Sequence, residues 1–175
     1  MGMITRPSHV KLFAGFFARD ASLFPAVKKR LVRAFGPIDY ETAVMDFAHT
    51  AYYEREFGTG LRRAFVSFAR PARLEGVFRA KIVTNRIEQA FARNGARTVN
   101  IDPGYLTLSK MALLTTKDYT HRLHLSKGIY AEVTLHFREG TFTAWPWTYP
   151  DYRTPAYIAI FNHIRSMHHE QGGTP

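Results

Sequence analysis

The stretch Val99–Phe137 decides how the chain is read. It begins V-N-I-D-P-G-Y-L-T-L-S-K (Val99–Lys110), passes through T-T-K-D-Y-T-H-R (Thr115–Arg122) and ends L-H-L-S-K-G-I-Y-A-E-V-T-L-H-F (Leu123–Phe137). Ser126-Lys127-Gly128 is a compact loop of the kind that joins antiparallel strands. With Leu125 opposite Ile129, alternation puts Leu123, Leu125, Ile129, Ala131, Val133, Leu135 and Phe137 on one face. The other face takes Arg122, His124, Tyr130, Glu132, Thr134 and His136, with Arg122 across from Glu132. Upstream, Asp102-Pro103-Gly104 reads as a turn, Pro fixing φ and Gly accepting positive φ. Tyr105–Leu114 fits a strand or a short helix, because so short an apolar run cannot decide between them.

Working outward, Lys11–Ala18 has the length and apolar content of a buried strand. Leu23, Val27, Leu31, Val32 and Phe35 recur at helical spacing, with Asp20 or Ser22 as cap, Pro25 in the first turn and Gly36-Pro37 as the stop. Ile38–Phe47 and Leu61–Phe68 read as strands, and Leu74–Ala92 as a second helix ended by Asn94-Gly95. After Thr141–Trp147 and the loop W-T-Y-P-D-Y-R, Thr154 caps and Pro155 opens a last helix. The expected fold is therefore α+β: a ferredoxin-like βαββαβ sandwich extended by a C-terminal antiparallel hairpin and a closing helix. One domain over residues 1–175 is expected, with residues 1–9 and 170–175 frayed.

Composition narrows the function classes. With no cysteine, thiolate metal sites, iron–sulfur clusters and cysteine nucleophiles are excluded. His121 and His124 fall on opposite faces of a strand, and His163, His168 and His169 have no ligand spacing, so no metal site is expected. No apolar run is long enough to span a bilayer or act as a secretory signal, which makes a cytoplasmic protein without membrane contact the expectation. The net charge of +10 favours polyanions. It is concentrated in Arg62, Arg63, Arg70, Arg73, Arg79, Lys81, Arg86, Arg93 and Arg97, beside the aromatics Tyr52, Tyr53 and Phe57. A non-catalytic RNA- or protein-binding module using this 62–97 face is one functional reading.

The other reading places an anionic, phosphate-bearing small molecule at residues 99–137, where reactive groups crowd among apolar runs. Lys110, Lys117, His121 and Arg122 supply cations able to clamp phosphate or carboxylate. Asp102, Asp118 and His121 are the catalytic candidates. Glu132 is either a base or magnesium ligand, or the cross-strand partner of Arg122. Tyr105, Tyr149, Asp151 and Arg153 complete the ligand-binding set, the last three either covering the site or pinning the last helix to the sheet. No cofactor is specified by any motif.

N-I-D-P-G-Y-L-T-L-S-K, T-T-K-D-Y-T-H-R, G-I-Y-A-E-V-T-L (Gly128–Leu135) and W-T-Y-P-D-Y-R (Trp147–Arg153) together resemble a bacterial and archaeal domain family of unknown function. The likeness extends to K-L-F-A-G at the first strand and F-G-P-I-D at Phe35–Asp39. Some members of that family carry a GTP-binding label, but the resemblance brings no activity with it. None of the 12 glycines opens a G-x-x-x-x-G-K-[ST] loop, and T-T-K-D does not reproduce a guanine-reading Asn-Lys-x-Asp, so P-loop GTPase chemistry is excluded. Of the paired H-x-[ST] motifs used by RNA ligase and phosphodiesterase sandwiches, only His124-Leu125-Ser126 is present.

Overall fold

The computed structural model describes residues 2–3, 9–47 and 53–173. In chain order its elements are β1 (His9–Ala18), α1 (Phe24–Phe35), β2 (Ile38–Glu41), β3 (Met45–Asp46), α2 (Glu54–Phe57), β4 (Arg62–Phe68), β5 (Ala72–Arg73), α3 (Arg79–Phe91), β6 (Asn100–Leu106), β7 (Lys110–Thr115), β8 (Leu123–Ser126), β9 (Ile129–Arg138), β10 (Thr141–Ala144) and α4 (Pro155–Glu170). The chain is α+β. Its 10-stranded antiparallel sheet has the order β10-β9-β7-β6-β1-β4-β2, with β3, β5 and β8 pairing beside β4, β1 and β9.

The two faces of the sheet bury different helices. On the first, Val10, Leu12, Ala14, Phe16 and Ala18 of β1 meet Val27 and Leu31 of α1 and Ala80 and Ile87 of α3. On the second, Phe13, Phe65, Leu106, Met111 and Leu113 lie under Tyr157, Phe161 and Ile164 of α4. Because both faces are covered, β1 is buried almost throughout and shows no polar alternation. The helix signals act as expected: Thr154 accepts the Tyr157 N–H with Pro155 in the first turn of α4, and Gly36 leaves α1 at φ 96°.

Asp102-Pro103-Gly104 is not a turn. All three residues lie in β6, and Gly104 answers a packing demand: a Cβ there would lie 2.3 Å from Phe13 Cζ and 2.6 Å from the Ala112 carbonyl. Pro103 is tolerated because pairing of β6 with β7 covers only Gly104–Leu106. Tyr105–Leu114 likewise resolves into the end of β6, a turn closed by Thr107 N–H to Lys110 O at 2.9 Å, and β7.

The β8–β9 hairpin keeps the expected pairs Leu123 with Ala131 and His124 with Tyr130, but Ser126 and not Leu125 stands opposite Ile129, the register shifting between His124 and Ser126. The expected apolar face, however, breaks. Pairing of β7 with β9 shifts between Met111↔Leu135 and Ala112↔Val133, so β9 carries one extra residue, Thr134, and its side chains change phase. Ile129 and Ala131 join the first core, whereas Leu135 and Phe137 join the second. Leu123 and Leu125, expected inside, are 76% and 39% exposed at the outer edge. There β8 and β10 lie end to end along β9, and the gap between them is closed by side chains of the following loop. Trp147 Nε1 donates to Val133 O at 3.1 Å and Thr148 Oγ1 to Thr134 O at 2.6 Å. Among the described residues, no helix is long and apolar enough to cross a membrane.

Candidate functional site

Glu132 stands opposite Leu113, so it points to the second face, where its carboxylate is 1% exposed. A buried carboxylate needs donors, and this one has three. Arg122 Nε donates at 2.8 Å, His121 Nε2 lies at 3.3 Å, and Thr134 Oγ1 reaches the other oxygen at 3.3 Å. The remaining Arg122 nitrogens donate to Lys117 O at 3.0 Å and to the Tyr149 hydroxyl at 2.8 Å. One guanidinium therefore ties β9 to the loop at 116–122 and the loop at 145–153, using the planar fork that a lysine lacks.

Above this pair the rings form a continuous stack. Tyr119 and His121 are parallel within 2° at 6.2 Å, His121 and Trp147 within 20° at 5.8 Å, and Trp147 and Trp145 within 7° at 5.1 Å. Tyr119 and Trp147 stay 58% and 40% exposed. Burial raises the Tyr149 phenol above its ordinary pKa, with the Glu132 charge adding to the shift, Arg122 opposing it and Asp102 adding further.

That last influence brings Asp102 to the same region. Its carboxylate accepts from Asn100 Nδ2 at 2.7 Å and lies 3.7 Å from Lys81 Nζ. Lys81 also donates to Ile101 O at 3.0 Å where β6 has no β7 partner. Arg97 donates to Asn100 at 2.9 Å and to Glu56 at 2.6 and 2.7 Å. Buried Glu88 accepts the Ile101 N–H at 2.6 Å and sits 3.3 Å from Arg97; burial raises its carboxyl, with Lys81 opposing. Burial also raises the Tyr53 phenol, and the Asp102 charge pushes it the same way. Asp102, opposite Gly15 in β1, is within electrostatic reach of Tyr53 and Tyr149 but bonds to Asn100 and not to the Glu132–Arg122–His121 group.

Other expected residues go elsewhere. Lys110 opens β7 opposite His136, a six-residue strand away from the 116–122 loop, roughly 17 Å at strand rise. Tyr105 is buried in the first core, on the far side of the sheet, and burial raises its phenol. Asp118 and Lys117 are exposed on the 116–122 loop, the Lys117 charge reaching Glu56. Asp151 is buried against Arg63 Nη1 at 2.6 Å, and Arg153 donates to Thr148 O and Pro146 O, both at 2.6 Å. These two residues hold the loop and the start of α4 in place.

The 62–97 cations divide: Arg70, Arg73, Arg79, Arg86 and Arg93 are exposed, and the other four are buried or paired. Arg63 is buried among Phe47, Phe65, Tyr152 and Tyr157, Lys81 is buried under β6, and Arg62 and Arg97 are paired with Asp46 and Glu56. Phe57 and Tyr53 pack on Phe17 and Phe47 and not outward for stacking; Tyr52 lies outside the described residues. Sequence reasoning missed Tyr119, Trp145, Trp147 and Glu88, and read Lys81 and Arg97 as part of a basic face and not as partners of buried carboxylates. The one legible signal was Trp145-Pro146-Trp147, two large rings at the spacing that shares a face. Among the described residues, no three His, Asp or Glu side chains are grouped to hold a metal ion.

No curated protein and no solved structure matches the chain. A family model described as a domain of unknown function (DUF4416) matches residues 8–168, and the chain, read from its strands to its charged end, belongs to that family.

Proposed function

We propose that the protein binds a phosphate-bearing small molecule with a planar ring, of the nucleotide class, on the shelf formed by the loops at 116–122 and 145–149. The observation that carries this reading is the exposed ring stack Tyr119–His121–Trp147, fixed from below by the buried Glu132–Arg122 pair and its bond to the Tyr149 hydroxyl. Every nucleobase offers a π face, and stacking on an aromatic ring contributes about 1–3 kcal/mol per base. Fixed rings bind with less ordering cost than mobile ones.

The buried cations are matched by carboxylates, Arg122 by Glu132, Arg63 by Asp151, and Lys81 and Arg97 by Glu88, Asp102 and Glu56. The phosphate is assigned to the exposed loop at 116–122, where Lys117 and His121 lie beside the ring stack. Glu132 orients His121 through Nε2, so Nδ1 is the ring atom placed to exchange a proton with the ligand. Asp102 and Tyr149 bound the inner side of the shelf and Asp118 its outer loop.

The scaffold beneath is read as a ferredoxin-like βαββαβ unit made of β1, α1, β2, β4, α3 and β6. The strand order β6-β1-β4-β2 and the packing of α1 and α3 on one face support that reading. The continuous sheet supports one folding unit over the chain.

A panel of nucleoside mono-, di- and triphosphates, screened by thermal unfolding, tests the proposal. At least one should raise Tm while its nucleoside does not, and Tyr119→Ala should abolish the rise. No rise across the panel, or a rise that Tyr119→Ala leaves intact, would contradict it.

A further inference from the structure

A recess lined in part by Arg97 lies apart from the ring shelf. It has a volume of about 230 Å³, and its lining includes Arg19, Arg93 and Arg97 together with Asp20, Glu56 and Phe57. Its two carboxylates are already engaged. Glu56 accepts from Arg97 Nε at 2.6 Å and Nη2 at 2.7 Å, and the guanidinium of Arg97 lies 5.3 Å over the Phe57 ring. Asp20 caps the turn at Ala21–Leu23 by accepting the Ser22 N–H at 2.9 Å; those Ser22 hydrogen bonds hold its carboxyl below the usual value, with the Arg93 charge a smaller influence.

Arg19 and Arg93 stand differently. Both are exposed, and among the described residues neither is in an ion pair with a carboxylate. They come from unrelated parts of the fold, Arg19 from the end of β1 and Arg93 from the segment after α3, yet they line the same recess. Beside Arg19 the chain turns through Gly58 at φ 79°, a conformation that favours glycine. A Cβ at Gly58 would come within 3.7 Å of Arg19 Nη1, so the turn runs close beneath that guanidinium.

We infer that this recess is an anion site for a phosphate or diphosphate group, gripped by Arg19 and Arg93 and backed by the fixed Arg97. Guanidinium forks match phosphate oxygens two at a time, and two unpaired forks facing one recess leave their charge for a ligand. The inferred class is a small phosphorylated metabolite whose organic part is short, because the recess is smaller than the 300–1,000 Å³ usual for drug-sized ligands. The site is separate from the ring shelf and does not depend on it.

The test uses the full chain, with inorganic phosphate and pyrophosphate as probes, followed by calorimetry and by NMR of the arginine side chains. Pyrophosphate should bind with an affinity that falls as salt rises, and the Arg19 and Arg93 signals should shift. Arg19→Ala/Arg93→Ala should weaken binding at least tenfold. Arg33→Ala/Arg138→Ala, which removes the same charge from exposed positions elsewhere, should leave it within twofold, and so should Tyr119→Ala. Failure of wild-type protein to bind at millimolar pyrophosphate, equal weakening in the two double variants, or unchanged binding in Arg19→Ala/Arg93→Ala would each overturn the inference.

Discussion

The two faces of the sheet are stabilised differently. The first is mostly an apolar contact between β1, α1 and α3, in which Phe16 meets Phe24 edge-on at 4.9 Å, with one buried ion pair, Lys81 and Glu88 at 3.9 Å, along α3. The second is also apolar under the middle of α4, but it holds three buried ion pairs: Lys11 with Asp39, Arg63 with Asp151, and Arg122 with Glu132. The first two hold α4 at its ends. Lys11 and Asp39 both bond Gln171, which ends that helix, and Arg63 bonds Asp151 and Tyr152, which precede it. Only Arg122–Glu132 carries exposed chemistry, the His121 ring and the Tyr149 hydroxyl. Burial of charge therefore does not by itself mark a site in this molecule. The distinguishing feature is what the buried pair presents to solvent.

Substitutions on the two faces should separate these roles. Phe16→Ala should be the most damaging, costing about 3–5 kcal/mol by urea unfolding, since it deletes a fully buried ring from the first core. On the second face Asp151→Ala should cost about 3 kcal/mol or more by leaving Arg63 charged and unpaired, whereas Arg63→Met/Asp151→Leu should recover most of that loss. If the double variant were no better than the single one, the pair would be doing more than pinning α4.

A pH experiment sharpens the comparison within the second face. Burial, and then the Lys11 charge, lowers His168 below its ordinary 6.5, so the folded chain keeps this ring neutral while the unfolded chain protonates it. Its contribution is present above pH 6.5 and is lost as pH falls through the lowered folded value. Asp39 acts in a more acidic window. Burial alone would raise its pKa, but hydrogen bonds from Lys11, Ser67 and Gln171 more than offset that and lower it from 3.8. Its contribution holds above 3.8 and disappears only as pH falls further. The urea midpoint should therefore decline already between pH 7 and 5, and His168→Gln should flatten that decline. An unchanged slope in the variant would remove His168 from the account.

Much of the scaffold was legible because its signals are local. The Thr154-Pro155 start of α4, the Gly36 end of α1 and the placement of Arg122 beside Glu132 follow from residues within a few positions of one another. The misreadings arose where distant packing overrode a local preference. Asp102-Pro103-Gly104 has turn chemistry, yet Phe13 requires a bare backbone at Gly104 and keeps the segment extended. The extra residue in β9 is dictated by its partner β7 and leaves no mark of its own in the hairpin sequence. The shelf was only half visible. Its charged residues lie within one stretch, but His121 meets Trp147 across 26 positions, a contact that periodicity cannot disclose.

The smallest expected effect on stability falls where the largest effect on binding is expected. Tyr119 is 58% exposed, and Tyr119→Ala should change unfolding by no more than about 0.5 kcal/mol. A loss of several kcal/mol would mean that the ring stack is structural.

The chain has only 2 tryptophans, Trp145 and Trp147, and both belong to the stack. Intrinsic tryptophan fluorescence therefore reads the shelf without labelling. Titration with the nucleotide that raises Tm should quench the emission saturably in the wild-type chain and leave it unquenched in Tyr119→Ala. Absence of saturable quenching while the nucleotide still raises Tm would place the ligand elsewhere and contradict the account.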